Sequence, residues 1–158
     1  MSGKTIELEF YGYWVGDGKS NIPKTSGIYC VYVGTYDESK DTCTLLKIIY
    51  IGESCNVNTR IASHNKLGSW NNKRGQGEVL IYSFAPVPTG EQDRQRAEAT
   101  LINHCYKNLK LINSEFATEY DSQDKFPFPT TTVKTTGERT LKHFKAFDHR
   151  HRLFHFRP

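Results

Sequence analysis

The sequence predicts an α+β domain: a small three-stranded antiparallel sheet flanked by helices. Two observations carry that expectation. Short segments rich in β-branched and aromatic residues recur through the first ninety positions, each closed by polar, glycine or proline residues. Two further stretches have capping signals at the start and apolar residues at helical spacing. The predicted order is strand, strand, helix, strand, helix. With 158 residues the chain is long enough to bury a core as one domain, residues 1–158, without disulfide staples.

Each element can be justified in turn. Thr5–Tyr13 (TIELEFYGY) mixes apolar and acidic residues in near alternation and reads as a strand, ended by Gly16, Gly18 and Pro23. Gly27–Val33 (GIYCVYV) and Leu45–Ile51 (LLKIIYI) follow, and the polar TYDESKDTCT between them predicts a hairpin with a long loop. A helix begins near Ser54 or Asn56, either of which can cap, and ends before Gly68. Glu78–Phe84 (EVLIYSF) is the third strand, stopping at Pro86. The second helix starts after Thr89, which has capping-box spacing to Gln92, and runs to about Leu109. Beyond Asn113, FPFP excludes helix and TTTVKTTG looks extended. The terminal HFKAFDHRHRLFHFRP interleaves basic and aromatic residues, suiting either phosphate and base contacts or a tail packed on the domain.

The formal charge of +4 and pI near 8.8 are compatible with a polyanionic partner without requiring one. No apolar run has signal-peptide or membrane-span length, so a cytoplasmic protein with no membrane partner is expected. Cys30, Cys43, Cys55 and Cys105 form no CxxC pair and read as reduced thiols. His149, His151 and His155 lack the firm spacing of a metal cluster.

Some polar residues fall where apolar ones belong. Ala97, Leu101, Cys105 and Leu109 make one stripe of the second helix, and Glu98 projects into it. A carboxylate there needs a partner, and spacing leaves open whether that is a metal ion, an arginine or a structural salt bridge. Arg60 and His64, four residues apart, share a face with Val57 and Leu67, which suggests an anion site at a cleft. Tyr29 and Tyr50 occupy similar positions in two strands expected to be neighbours.

Gly27-Ile28-Tyr29 and Tyr50-Ile51-Gly52 are the two tripeptides that name the GIY-YIG nuclease family. The chain resembles that family further in Arg60 and His64 as R-x-x-x-H, in Glu98 on a later helix, and in Asn113. The match spans residues 26–113, which the resemblance makes the catalytic core, with 1–25 and 114–158 as N- and C-terminal extensions. It implies a metal-dependent endonuclease hydrolysing phosphodiester bonds of double-stranded DNA with one Mg²⁺ or Mn²⁺ ion. Glu98 would hold the metal. Arg60 would clamp the scissile phosphate. Tyr29 would be general base or water-positioning group, assisted by Tyr50, with His64 bonding a tyrosine or phosphate. Asn113 would hold the site together. Lys66, Lys73, Arg74, Arg94 and Arg96 are candidate phosphate contacts, with a solvated basic surface as the plainer reading of each.

Twenty residues separate Tyr29 from Tyr50, more than is usual for that family, a surplus that fits the long hairpin loop. No further His or Lys suited to proton shuttling follows the R-x-x-x-H helix beyond Lys66, Lys73 and Arg74. With little chain outside the core, recognition would fall to the Thr35–Thr44 loop, the Lys66–Gln76 loop and the tail. A stand-alone restriction-type or mobile-element-associated enzyme, monomeric or a weak homodimer, is the expectation. A catalytically idle nucleic-acid-binding module and a toxin or defence component acting on RNA or foreign DNA are the alternatives.

Overall fold

The computed structural model describes residues 4–106 and 131–136. In order it contains β1 (Lys4–Glu9), β2 (Tyr11–Val15), a 3-10 turn (Gly16–Asn21), β3 (Gly27–Asp37), β4 (Thr42–Ser54), α1 (Val57–Ala62), α2 (Leu67–Asn72), β5 (Val79–Pro86), α3 (Glu91–Tyr106) and β6 (Thr131–Thr136). The class is α+β, as expected, but the sheet is larger than the predicted three strands. It has four, in the order β2-β5-β3-β4, all antiparallel. The additional strand comes from the segment predicted as one strand over Thr5–Tyr13. That segment divides at Phe10 into β1 and β2, and β2 pairs with β5. Its partner β1 pairs in parallel with β6, making a separate two-stranded sheet. Residues before 26 are therefore built into the fold rather than appended to it. Ile22 lies buried beneath α1, and Asn58 donates to the carbonyls of Ser20 (3.0 Å) and Ile22 (2.6 Å).

The central strand β3 is buried along Gly27–Gly34 because both faces of the sheet are covered. Alternation along it divides the core. Ile28, Cys30 and Tyr32 face α3 and the β1–β6 pair, through Ala97, Leu101, Ile102, Leu8 and Val133. Tyr29, Val31 and Val33 face α1 and α2, through Val57, Ile61 and Trp70. The β3–β4 pairing shifts register between Val31 and Tyr32, where Ile49 is the extra residue on β4. Such a bulge turns the following side chain to the other face. Ile48 faces α3, whereas Tyr50 faces α1 and α2, where Tyr29 already lies.

The helix predicted from Ser54 or Asn56 to before Gly68 is two short ones. Asn56 is the cap that forms, its side chain accepting the Thr59 N–H at 3.1 Å. The chain leaves helical geometry at Ser63, and Gly68 lies inside α2. The predicted Thr89–Gln92 capping box is also replaced: α3 starts at Glu91, and the Gly90 carbonyl before it accepts the Arg94 N–H at 3.2 Å. Leu109, Asn113 and the C-terminal tail lie outside the described residues, as does the side chain of Cys105.

Candidate active site

The site lies at the end of the sheet where β3 begins and β4 finishes. Both tripeptide glycines are steric requirements of that end. A Cβ on Gly27 would lie 2.1 Å from the Ala85 carbonyl oxygen and 2.6 Å from the Phe84 ring. One on Gly52, opposite Tyr29 in the register, would lie 2.3 Å from both Cζ and Oη of Tyr29. Without a side chain at 52, the Tyr29 ring lies flat over β4.

Tyr29 then stacks on Tyr50, with ring centroids 6.1 Å apart and planes 16° from parallel. His64 meets both edge-on, at 5.9 Å from Tyr29 and 5.1 Å from Tyr50. Trp70 backs the group, 4.2 Å from His64 and 5.2 Å from Tyr50. All four rings are buried. His64 does not continue the Arg60 helix, which ends at Ala62; the turn between α1 and α2 carries it inward instead.

The hydrogen bonds assign each donor. The Lys66 N–H donates to His64 Nδ1 at 3.0 Å. Burial, then the charges of Arg60 and Lys66, push the imidazole down to about 4, so it is neutral at pH 7. With Nδ1 accepting, its one proton resides on Nε2, which donates to the Tyr29 hydroxyl at 2.8 Å. The Arg60 charge also acts on the Tyr29 hydroxyl. The phenol oxygen thus accepts from His64 and keeps its own proton to donate. Burial holds the Tyr29 hydroxyl well above its ordinary value; Tyr50 adds to the shift, Arg60 opposes it by charge, and Glu98 reinforces it.

Glu98, half-buried on α3, completes the group. Burial and the Glu53 carboxylate push its carboxyl up to about 7, while the Glu53 backbone N–H and the Arg60 charge pull it down. Tyr29, Tyr50, Arg60, His64 and Glu98 therefore surround one place, with aromatic rings as floor and an exposed arginine and a half-buried glutamate at the rim. A hard divalent cation fits this donor set, because such ions bind through one or two carboxylates and fill their remaining positions with water and phosphate oxygens. Among the described residues no group of three or more His, Cys, Asp and Glu side chains forms a protein-only metal cage.

The basic candidates divide. Lys73 and Arg74 are exposed after α2, and Lys66 is half-buried beside His64. Arg94 and Arg96 are not surface cations: they are 8% and 7% exposed. Arg94 Nε bonds Glu53 at 2.7 Å, and Arg96 Nε donates to Thr131 at 3.0 Å, joining α3 to β6. The predicted Thr35–Thr44 recognition loop also lies at the wrong end of β3. Eight strand residues lie between Tyr29 and Glu38, roughly 30 Å at the usual rise, and three acidic residues flank Lys40 at the tip.

Sequence reading missed Trp70 and Glu53. Trp70 falls within the segment read as the Lys66–Gln76 loop, and Glu53 carried no periodicity signal because it ends a strand; its position directly after Tyr50-Ile51-Gly52 was the available clue. A scan against protein-family models and searches of curated proteins and of solved structures found no match.

Proposed function

We propose that this chain is a GIY-YIG-type endonuclease that hydrolyses DNA phosphodiester bonds with the help of a divalent cation. One observation carries the reading: the Tyr29 hydroxyl, held by the His64 donor at 2.8 Å on a buried aromatic floor, feels both a cationic side chain, Arg60, and an anionic one, Glu98. A phosphodiester needs those three elements.

Arg60 is exposed enough to reach a phosphate and can balance the charge that grows on it during attack. With His64 donating to it, the Tyr29 hydroxyl keeps its own proton to offer to a water. Should it lose that proton, the His64 donor and the Arg60 charge stabilise the resulting phenolate, which is what a general base at this position requires. His64 keeps its proton throughout, since its other nitrogen is occupied by the Lys66 amide; it positions Tyr29 and shuttles nothing. Glu98 would hold Mg²⁺ or Mn²⁺, which when bound neutralises phosphate charge and assists the leaving oxygen.

A second reading is a binding module without catalysis. It is favoured by the burial of Glu98 near Glu53 of edge strand β4, which pushes its carboxyl up to about 7 and disfavours the charged form that a metal needs. Incubating wild type and Glu98→Ala with supercoiled plasmid, and in parallel with RNA, with and without Mg²⁺ or Mn²⁺, separates the two. Metal-dependent nicking by wild type, reduced at least ~10³-fold in a folded Glu98→Ala, is the expected outcome. Equal activity in both proteins removes the metal assignment. Binding without cleavage of any nucleic acid establishes the second reading, and cleavage of RNA alone changes the substrate.

A further inference from the structure

Helix α2 is only six residues long, too short to persist through its own hydrogen bonds. Trp70 is its one buried side chain, whereas Gly68, Ser69, Asn71 and Asn72 are exposed. The ring it meets most closely is His64: the centroids are 4.2 Å apart and the planes 36° from parallel, against 5.2 Å to Tyr50 and 6.3 Å to Tyr82. Lys66 ties the same two residues through its main chain. Its N–H donates to His64 Nδ1 at 3.0 Å, and its carbonyl accepts the Trp70 main-chain N–H at 2.9 Å. The imidazole is thus enclosed by Trp70, Tyr29 and Tyr50, with both of its nitrogens engaged. The indole N–H is fully buried and has no acceptor among the described residues, a cost that phenylalanine in the same place would avoid. Packing alone does not call for tryptophan here.

Resting on the endonuclease reading, we propose that Trp70 is a positioning residue: it keeps water off His64 and fixes the imidazole so that its Nε2–H meets the Tyr29 hydroxyl. Without the indole, water reaches the imidazole, competes with the Lys66 amide and favours the charged form. A proton on Nδ1 removes the acceptor that the Lys66 N–H needs. The ring then turns, and Tyr29 loses the donor that orients it. The charged and titratable groups facing His64 are Arg60 from α1, Lys66 before α2, Tyr29 from β3 and Tyr50 from β4. Burial is the largest influence keeping the imidazole neutral, and both cations act in the same sense. If Trp70 served stability alone, its removal would lower the melting temperature and leave His64 protonation in the folded protein unchanged.

Two measurements on the full chain test this. The first is an NMR titration of His64 without metal or nucleic acid, following the ring proton and nitrogen shifts that report its charge and tautomer. Wild type is expected to titrate near pH 4 with its one proton on Nε2. Trp70→Leu is expected to bind the second proton roughly tenfold or more tightly and to mix the tautomers. Trp70→Phe, which restores an aromatic ring and drops the buried N–H, is expected to fall between the two. The second is single-turnover plasmid cleavage, in which Trp70→Leu lowers the rate roughly 10²-fold with little change in DNA affinity and Trp70→Phe recovers much of it. A wild-type His64 that titrates near 6.5 overturns the proposal without any variant. An unchanged midpoint and tautomer in folded Trp70→Leu also overturns it, and Trp70→Phe takes that place if Trp70→Leu does not fold. So does folded Trp70→Leu cutting at the wild-type rate. Wild type that cuts no nucleic acid with any divalent cation overturns the endonuclease reading and, with it, the catalytic part of this one; the titration still decides whether Trp70 fixes His64.

Discussion

Tyr29 and Tyr32 stand three residues apart on the same strand, both buried and both hydrogen-bonded, yet on opposite faces of the sheet. Tyr32 lies under α3 beside Tyr13 and within 3.3 Å of the Ser83 hydroxyl, and burial dominates its raised pKa, with Cys30 and Tyr13 next. Tyr29 lies under α1 and α2 with an arginine and a glutamate acting on its hydroxyl. A buried tyrosine is therefore not in itself a sign of chemistry. What distinguishes Tyr29 is that full charges reach it from half-open positions, a situation that packing alone does not require.

The sharpest way to break this comparison is to remove each hydroxyl. Tyr29→Phe is expected to lower the cleavage rate by ~10²–10⁴ with little change in DNA affinity, as removal of a general acid–base group does. Tyr32→Phe is expected to leave the rate unchanged and to cost about 1 kcal/mol of stability, the worth of one hydrogen bond. Single-turnover rates and urea unfolding on both variants decide it. Equal rates would place Tyr29 with Tyr32 as a packing residue.

The glycines of the two faces sharpen the same contrast. An added Cβ on Gly52 meets the end of the Tyr29 side chain, whereas one on Gly34 meets the Thr44 backbone carbonyl at 2.1 Å. Gly52→Ala should therefore push the tyrosine off His64 and depress cleavage severely in a folded protein. Gly34→Ala should instead force two strands apart, costing about 1–3 kcal/mol of stability while the folded fraction cuts normally. Circular dichroism melting paired with initial rates tests both; a fully active Gly52→Ala would contradict the placement of Tyr29.

The smallest effect concerns pH. Burial beside Glu53 raises the Glu98 carboxyl from 4.5 to about 7, so the folded state binds its proton more tightly than the unfolded chain does. The stability this contributes is fully present below pH 4.5 and is lost as pH rises through 7. His64 works in the opposite sense. Its pKa is depressed from 6.5 to about 4, so its contribution is present above 6.5 and lost as pH falls through 4. Comparing wild type with Glu98→Gln cancels the histidine, which both proteins share. Without divalent cations, Glu98→Gln should gain about 1–2 kcal/mol over wild type between pH 4.5 and pH 8 in urea unfolding. A constant difference across that range would mean Glu98 is as well solvated folded as unfolded.

Particular residues show what could be read early. Glu98 stood out in the stripe of Ala97 and Leu101, because a carboxylate among apolar residues violates helical patterning. Arg60 and His64 were paired by spacing, and they do meet at Tyr29, though not along one helix as that spacing implied. Arg94 and Arg96 were misjudged as surface cations, since nothing local says that Glu53 and Thr131 will cover them. The division of Thr5–Tyr13 into β1 and β2 was hidden for a similar reason: strand partners 66 to 127 residues away decide it.

By itself the sequence determined the class, the hairpin, the capped start of α1 and the polar residues standing in apolar surroundings. These follow from propensity, periodicity and steric need, all of which act between near neighbours along the chain. Only the tertiary structure decided that the Ile49 bulge puts Tyr50 on the face of Tyr29, that His64 donates rather than accepts, and that Arg94 pairs with Glu53. Each depends on groups meeting across strands and helices, where geometry in three dimensions selects the partner and its charge sets the chemistry.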